Sequence, residues 1–401
     1  MYSKILVALD GSEYSLIGGD IALQVAQSLG SELLAAHIYD AGLHNKRFQE
    51  MELTLPSKYQ DENKLSELRE THNDLIYDGF ESLSKGYMEQ YLEKATKRGV
   101  PVTQIHREGR NYLQLLDIAK DQQINLLVLG AQGLGVLGDE VMGSTAQRVL
   151  RYAPCDVLIT RRTLNDGSIM IGIDGSDEAI SSLRKAVVWS RTLSKSLNLV
   201  AAYDPHFHTT IFKTMAGSLS PERQEEVGVV KQESLHEEII DDGLGKLYQG
   251  FLDTSQEKCR EMGMNADTSL LQGKAYRALI DFEEKTNTDI IVVGRYGNHR
   301  EDKAHIGSQS ELVACHSHSN VLVTKASDIQ KKPLETDSLV LEWDEEALMR
   351  LERIPSFARP MARKAIENSI RSQGKTRITQ EDFQKIAQQF GMGGKKDSDD
   401  E

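Results

Sequence analysis

Short apolar runs and four-residue apolar spacings alternate along this chain. Ile5-Leu6-Val7-Ala8-Leu9 is unbroken and ends at Asp10, the mark of a strand buried on both faces. By the same pattern, strands are predicted at 4–9, 33–39, 126–130 and 156–160. Ile17, Ile21, Val25 and Leu29 keep the spacing of a helix that buries one face. Further helices are predicted at 67–98, 111–122 and 144–152, and a later one carrying Leu183, Val187, Ser190, Leu193 and Leu197. The order βαβ…βαβαβ implies a mostly parallel sheet with helices on both faces and right-handed crossovers. Ligands of such sheets sit beyond the carboxyl ends of the strands.

The pattern occurs twice. Ile5-Leu6-Val7-Ala8-Leu9-Asp10-Gly11-Ser12 returns 164 residues later as Ile169-Met170-Ile171-Gly172-Ile173-Asp174-Gly175-Ser176. The same offset carries Tyr39-Asp40 to Tyr203-Asp204, Gly130 to Gly294, Gly133 to Gly297 and Gly143-Ser144 to Gly307-Ser308. No gap is needed, so the chain holds a duplicated domain. Runs 156–160 and 320–324 are short apolar strands of the kind that needs covering, which predicts that the repeats pair within one chain.

Each repeat places Gly-x-x-Gly at the end of the run 126–130 or its equivalent and, nine residues on, Gly-Ser before a helix: Gly130, Gly133, Gly143 and Ser144, then Gly294, Gly297, Gly307 and Ser308. Glycine lets backbone amides approach a phosphate, and a helix start favours an anion. Two tight turns with a helix cap would explain one copy. Two copies at one spacing, each following Asp-Gly-Ser, point to a nucleotide site. Gly133-Leu134-Gly135-Val136-Leu137-Gly138 also fits G-x-G-x-x-G. It follows the wrong strand for that dinucleotide motif, and Gly135 and Gly138 become His299 and Asp302 in the second copy. A Walker A sequence is absent.

Both repeats resemble universal stress protein domains of the ATP-binding type, marked by G-x2-G-x9-G-[S/T] and a first-strand aspartate, over about residues 1–326. The resemblance implies an α/β fold: two doubly wound, mostly parallel five-stranded sheet domains, nucleotide-binding α-hydrolase-like. It also implies binding of ATP or AMP, with or without Mg2+, and pairing through the last strand. By position, Asp10 and Asp174 would lie near ribose and phosphates, Ile38 and Ala202 would border adenine, and the glycines with Ser144 and Ser308 would hold phosphates. The hydroxyl residue usual two places after the motif serine is Ala146 in the first copy and Ser310 in the second. Residues 131–142 carry Asp139 and Glu140 and no Lys or Arg, whereas 295–306 carry Arg295, Arg300 and Lys303. Coulomb attraction therefore favours triphosphate at the second site.

Between second strand and long helix each repeat carries an insert of about 30 residues, longer than an ordinary loop. His44 and His72 return there as His208 and His236. They are weak metal candidates; packing of the insert on its own domain explains them more simply, so no metal site is assigned. No catalytic residue is assigned either: Ser12 and Ser176 read as helix caps, and Asp10 is as much a binding group as a base. Hydrolysis is expected to be slow or absent.

Residues 327–341 are polar and read as a linker. Residues 342–391 predict three short helices with a small core, a small all-α domain, before a disordered tail at 392–401. The pattern Trp343…Ala347…Leu351…Ile354-Pro355-Phe357…Arg359…Arg363…Ile366-Glu367…Gly374…Ile378-Thr379 resembles the small C-terminal domain of a light-independent protochlorophyllide reductase subunit. That reductase's cluster-binding cysteines are missing, so pigment reduction is not implied; packing near a redox protein or its ligand is. Arg350, Arg353, Arg359, Arg363, Lys364 and Arg371 make the module locally basic.

The 401 residues hold 47 Lys+Arg against 61 Asp+Glu, a net charge of −14 that argues against nucleic acid as a partner. No run reaches the ~18 apolar residues of a membrane span. Cys155, Cys259 and Cys315 have no metal spacing and read as reduced thiols in a cytoplasmic protein. The domains are read as 1–163, 167–326 and 342–391. The expectation is an adenine-nucleotide-binding stress or regulatory protein whose C-terminal module couples nucleotide state to a partner protein. The alternative is a structural or assembly factor for a redox complex, with vestigial or static nucleotide sites.

Overall fold

The computed structural model describes residues 2–59, 61–134, 142–205, 214–229, 242–297, 305–326, 341–354 and 359–389. Two compact units divide the chain: 1–172 with 181–198 and 279–325, and 173–180 with 199–278 and 326–401.

In the first unit the strands β1 (Lys4–Ala8), β2 (Glu32–Tyr39), β3 (Val102–Glu108), β4 (Leu126–Gly130), β5 (Asp156–Thr160), β6 (Ser168–Gly172), β9 (Thr288–Gly294) and β10 (Asn320–Thr324) are ordered β3-β2-β1-β4-β5-β10-β9-β6. Every pairing is parallel except β5 with β10. The interior runs of β1, β4 and β5 are buried on both faces, as unbroken apolar stretches require. Helix α1 (Glu13–Leu29) opens at Ser12, whose hydroxyl accepts from Ser15 N, and buries Ile17, Ile21 and Val25.

Three elements differ from expectation. The insert after β2 is not a loop: α2 (Ala41–Met51) starts at Asp40, whose Oδ1 accepts from Leu43 N at 2.9 Å. The long helix α3 (Glu62–Lys97) begins five residues early because Asp61 caps it through Asn63 N and Lys64 N. Its inner stripe is Ser84, Met88, Tyr91 and Ala95. Helix α6 (Asp177–Leu193) stops before Leu197, which instead opens a strand; Ser194 at φ 53° breaks the helix. Helices α4 (Asn111–Asp121) and α5 (Ser144–Tyr152) lie where predicted.

The β5–β10 ladder joins the repeats. Leu158 faces Leu322, its equivalent, and the flanking pairs Val157–Val323 and Ile159–Val321 step outward from it symmetrically. This is an isologous contact, the same patch used from both sides.

In the second unit, residues 199–203 of β7 (Leu197–Tyr203) neighbour β8 (Asp267–Gln272), and Gly273 N donates to Tyr203 O at 2.8 Å. The C-terminal segment has its own core of Ala347, Leu351, Ala362, Ile366, Ile370, Ile378, Phe383 and Ile386. Its three helices, Glu345–Arg353, Arg359–Ser372 and Gln380–Gln389, are accompanied by a two-residue parallel ladder, β11 (Glu342–Trp343) on β12 (Arg377–Ile378). Among the described residues, that ladder is the one addition to the helical segment expected. Arg363 lies over the Trp343 ring and donates to Glu367, and Arg359 donates to Glu352 O at 2.7 Å, so part of the basic face is spent internally. The side chains of Arg353 and Lys364, most of the linker and the 392–401 tail lie outside the described residues.

Candidate functional site

The first repeat builds a cavity of about 760 Å³ at the carboxyl ends of β1, β2 and β4. Asp10, Ile38, Gly130, Gly133, Gly143 and Ser144 all line it. The Asp10 side chain is fixed from below: its Oδ1 accepts from Ser12 N at 3.0 Å and Ser12 Oγ at 2.6 Å. Its other oxygen faces Gly133, where a Cβ would stand 2.6 Å from Oδ2. A Cβ at Gly130 would lie 2.8 Å from Tyr14 Cβ and 3.0 Å from Ser15 N. A side chain at Gly130 would thus press on the backbone of α1, and one at Gly133 would displace the Asp10 carboxylate, an explanation the motif alone did not supply.

Gly143 is the N-cap of α5 and gives that helix no side-chain cap; its own N–H donates to Ala131 O at 2.8 Å. The first turn of α5, Ser144, Thr145 and Ala146, borders the cavity, so the positive end of the helix opens on it. Ile38 and Leu115 give the same cavity an apolar wall, with Tyr39 and Phe80 stacked at 5.8 Å and 12°. His37 completes this wall. Burial holds its pKa below the ordinary 6.5, against the charge of Asp10 and helped by His106, so the imidazole is neutral at neutral pH. Among the described lining residues are two aspartates, Asp10 and Asp40, and no Lys or Arg. The volume falls within the ~300–1,000 Å³ of small-molecule sites. A cavity bordered by both an apolar wall and a helix start fits a nucleotide.

Sequence reasoning missed Tyr87, whose ring fills the space a Gly11 side chain would need. Its equivalent, Phe251, does the same over Gly175. An aromatic kept at the 164-residue offset was the available signal.

The second repeat's motif falls in two pieces, one in each unit. In the second unit, Asp174 Oδ1 accepts from Ser176 N at 3.0 Å and Oγ at 2.6 Å, as in the first repeat; Ala202 lies on β7. In the first unit, Gly307 starts the helix Ser308–His316 without a side-chain cap and donates to Arg295 O at 2.8 Å. Gly294 ends β9, with Gly297 three residues on.

The charge comparison needs correction here. Arg295 is 4% exposed and donates to Ala153 O at 2.9 Å and Cys155 O at 3.2 Å, at the end of α5. It meets the negative end of a helix, not a phosphate. Ser310 Oγ donates to Gly294 O at 2.6 Å, so its proton is already used. Arg300, Lys303, Asp139 and Glu140 lie outside the described residues. Arg295→Met is accordingly expected to lower stability by ~2–3 kcal/mol, because buried carbonyls lose a charged donor. Denaturant titration checks this.

Of the insert histidines, His72 stacks on Phe48 at 4.3 Å, and His44 lies 5.6 Å from His72. His208 and His236 lie outside the described residues. Among the described residues no group of three or more His, Cys, Asp or Glu could hold a metal ion.

A family model for the universal stress protein family matches residues 1–161 and again 167–325. The chain belongs to the universal stress protein family. A second model, described as the proto-chlorophyllide reductase 57 kD subunit, matches residues 343–386. The Bacillus subtilis universal stress protein YxiE is 30% identical over 165 residues, covering 40% of this chain and all of that one. Among solved structures, a universal stress protein from Archaeoglobus fulgidus aligns with a TM-score of 0.51 at 16% identity, over 81% of this chain and 99% of that one. A functionally unknown protein from Pseudomonas aeruginosa aligns with a TM-score of 0.51 at 14% identity, over 82% and 94%. These two support the fold alone. No helix among the described residues is long and apolar enough to cross a membrane.

Proposed function

We propose that this universal stress protein binds an adenine nucleotide, ATP or AMP, in the first-repeat cavity and acts as a regulator. The observation that carries the reading is the uncapped start of α5 opening on a cavity with an apolar wall. Phosphates would meet the amides of Ser144, Thr145 and Ala146, the ribose Asp10, and the adenine Ile38 and Leu115. With no Lys or Arg among the described lining residues, a Mg2+ carried by the triphosphate would be met by Asp10 and would supply positive charge. Asp174, Ala202, Gly294, Gly297, Gly307, Ser308 and Ser310 are the equivalent positions in the sequence of the second repeat. Nucleotide state would reach a partner protein, a redox protein by the character of residues 343–386, through the separately cored C-terminal module.

Thr145→Asp tests the reading. An acid in the first turn suits the helix but sets a carboxylate where phosphate would lie. A like-charge contact at 4 Å near a protein surface is worth up to ~4 kcal/mol, so ATP affinity at this site should fall at least ~10-fold. The melting temperature of the ligand-free chain should hold. Calorimetric titration of ATP and AMP into the full chain reads it; unchanged affinity would overturn the assignment. Amide exchange in residues 342–389 with and without ATP tests the coupling, and identical protection would remove that part.

A further inference from the structure

The β5–β10 ladder does not by itself choose its partner. Val157, Leu158 and Ile159 match Val321, Leu322 and Val323 so closely that either strand would pair as well with a second copy of itself. The groups beside the ladder are not matched. Asp156, with its side chain 4% exposed, accepts from Lys185 Nζ at 2.7 Å, Tyr2 OH at 2.7 Å and Lys325 N at 2.8 Å. Lys185, 6% exposed at its side chain, also donates to Lys325 O at 2.6 Å. Asp156 and Tyr2 belong to the first repeat, Lys185 and Lys325 to the second.

At the positions 164 residues away, this arrangement is gone. Asp156 becomes Asn320 and Lys185 becomes Ile21. Asn320 is satisfied by neutral backbone, accepting from Arg161 N at 2.8 Å and donating to Asp289 O at 2.9 Å. Ile21 is buried and apolar. The ion pair therefore stands on one side of the pseudo-two-fold axis only.

We propose that this buried pair is a one-sided lock that makes each repeat pair with the other and not with a second copy of itself. Two first repeats joined through β5 would set each Asp156 against Ile21, keeping the Tyr2 hydroxyl but losing the cation. Two second repeats joined through β10 would set each Lys185 against Asn320. Both leave a charge buried without its counter-charge, which is heavily disfavoured, and selectivity of this kind comes from penalising the wrong partner. Arg295 adds to it: the equivalent residue is Ala131, so two first repeats would leave the end of α5 without its donor. The lock does not depend on what the cavity binds.

The test uses the full chain with a protease site inserted after the exposed Thr163, nicked after purification and incubated warm so that the halves can exchange. Native mass spectrometry should find the unaltered seam only as the mixed complex of the two different halves. In the double variant Asp156→Leu/Lys185→Met, apolar groups replace the pair, and self-paired halves should appear toward the statistical mixture. Lys185→Met alone should lower the melting temperature of the intact chain by ~10 °C, since a broken buried pair is costly; the double variant should recover most of that. Self-pairing by the unaltered seam as free as in the double variant would overturn the lock. So would a double variant that still forms only the mixed complex. If Lys185→Met does not fold, the comparison of unaltered and double-variant seams decides alone.

Discussion

Gly11→Val is expected to destabilise the protein by ~3–5 kcal/mol and lower its melting temperature by ~10 °C. Two penalties fall on one residue. The backbone at Gly11 has φ 78°, which a β-branched side chain adopts only with strain. Its Cβ would also lie 2.3 Å from the Tyr87 ring, which is held on α3 and cannot swing clear without disturbing the cavity wall. Gly175→Val should cost about as much, because φ is 76° and the Phe251 ring stands 2.6 Å away. Gly79→Ala is the contrast: it sits in α3 with nothing within 4 Å of a Cβ, and should stabilise by ~0.5–1 kcal/mol. Thermal unfolding of the three variants checks the series, and a Gly11→Val protein melting with the parent would show that the turn relaxes freely.

That contrast marks what was legible in the sequence. The duplication, the strands at 4–9, 33–39, 126–130 and 156–160 and the glycine motif follow from local patterns repeated at the 164-residue offset, whereas Ile38 came from the family resemblance and β3, half exposed along its length, gave no apolar run to read. Contacts between distant segments do not leave such traces. Arg295 reads as a free cation in a loop until β5 and β10 pair and bring it to the carbonyls of Ala153 and Cys155. Lys185 sits on a helix face where Ile21 stood one repeat earlier, and only the seam shows what the exchange is for. The helix Ala41–Met51 was hidden by its polar composition, although Asp40 marks its start. The two-residue ladder at Trp343 and Ile378 is too short for any alternation to reveal.

Gly133→Ala should separate two meanings of the glycine motif. The usual reasoning makes Gly133 a place where phosphate oxygens approach backbone amides. The structure puts the Asp10 carboxylate in that space, 2.6 Å from where a Cβ would stand. The alanine is therefore expected to push Asp10 off its bonds to Ser12 and to cost ~1–3 kcal/mol of stability, as overpacking does. ATP affinity should fall at least ~10-fold with it, if Asp10 holds the ribose as proposed. In an Asp10→Ala background the carboxylate is gone and the same alanine has room. Its stability cost should then vanish, a coupling of ~1–3 kcal/mol between the two positions, and the double variant should bind ATP as Asp10→Ala does. Denaturant titration and calorimetry on the four proteins read both quantities. A double variant binding at least ~10-fold more weakly than Asp10→Ala would mean that the Cβ bars the phosphate itself. The expected result makes Gly133 the residue that lets an acidic group stand at the mouth of an anion site, within reach of a metal ion carried in by the triphosphate.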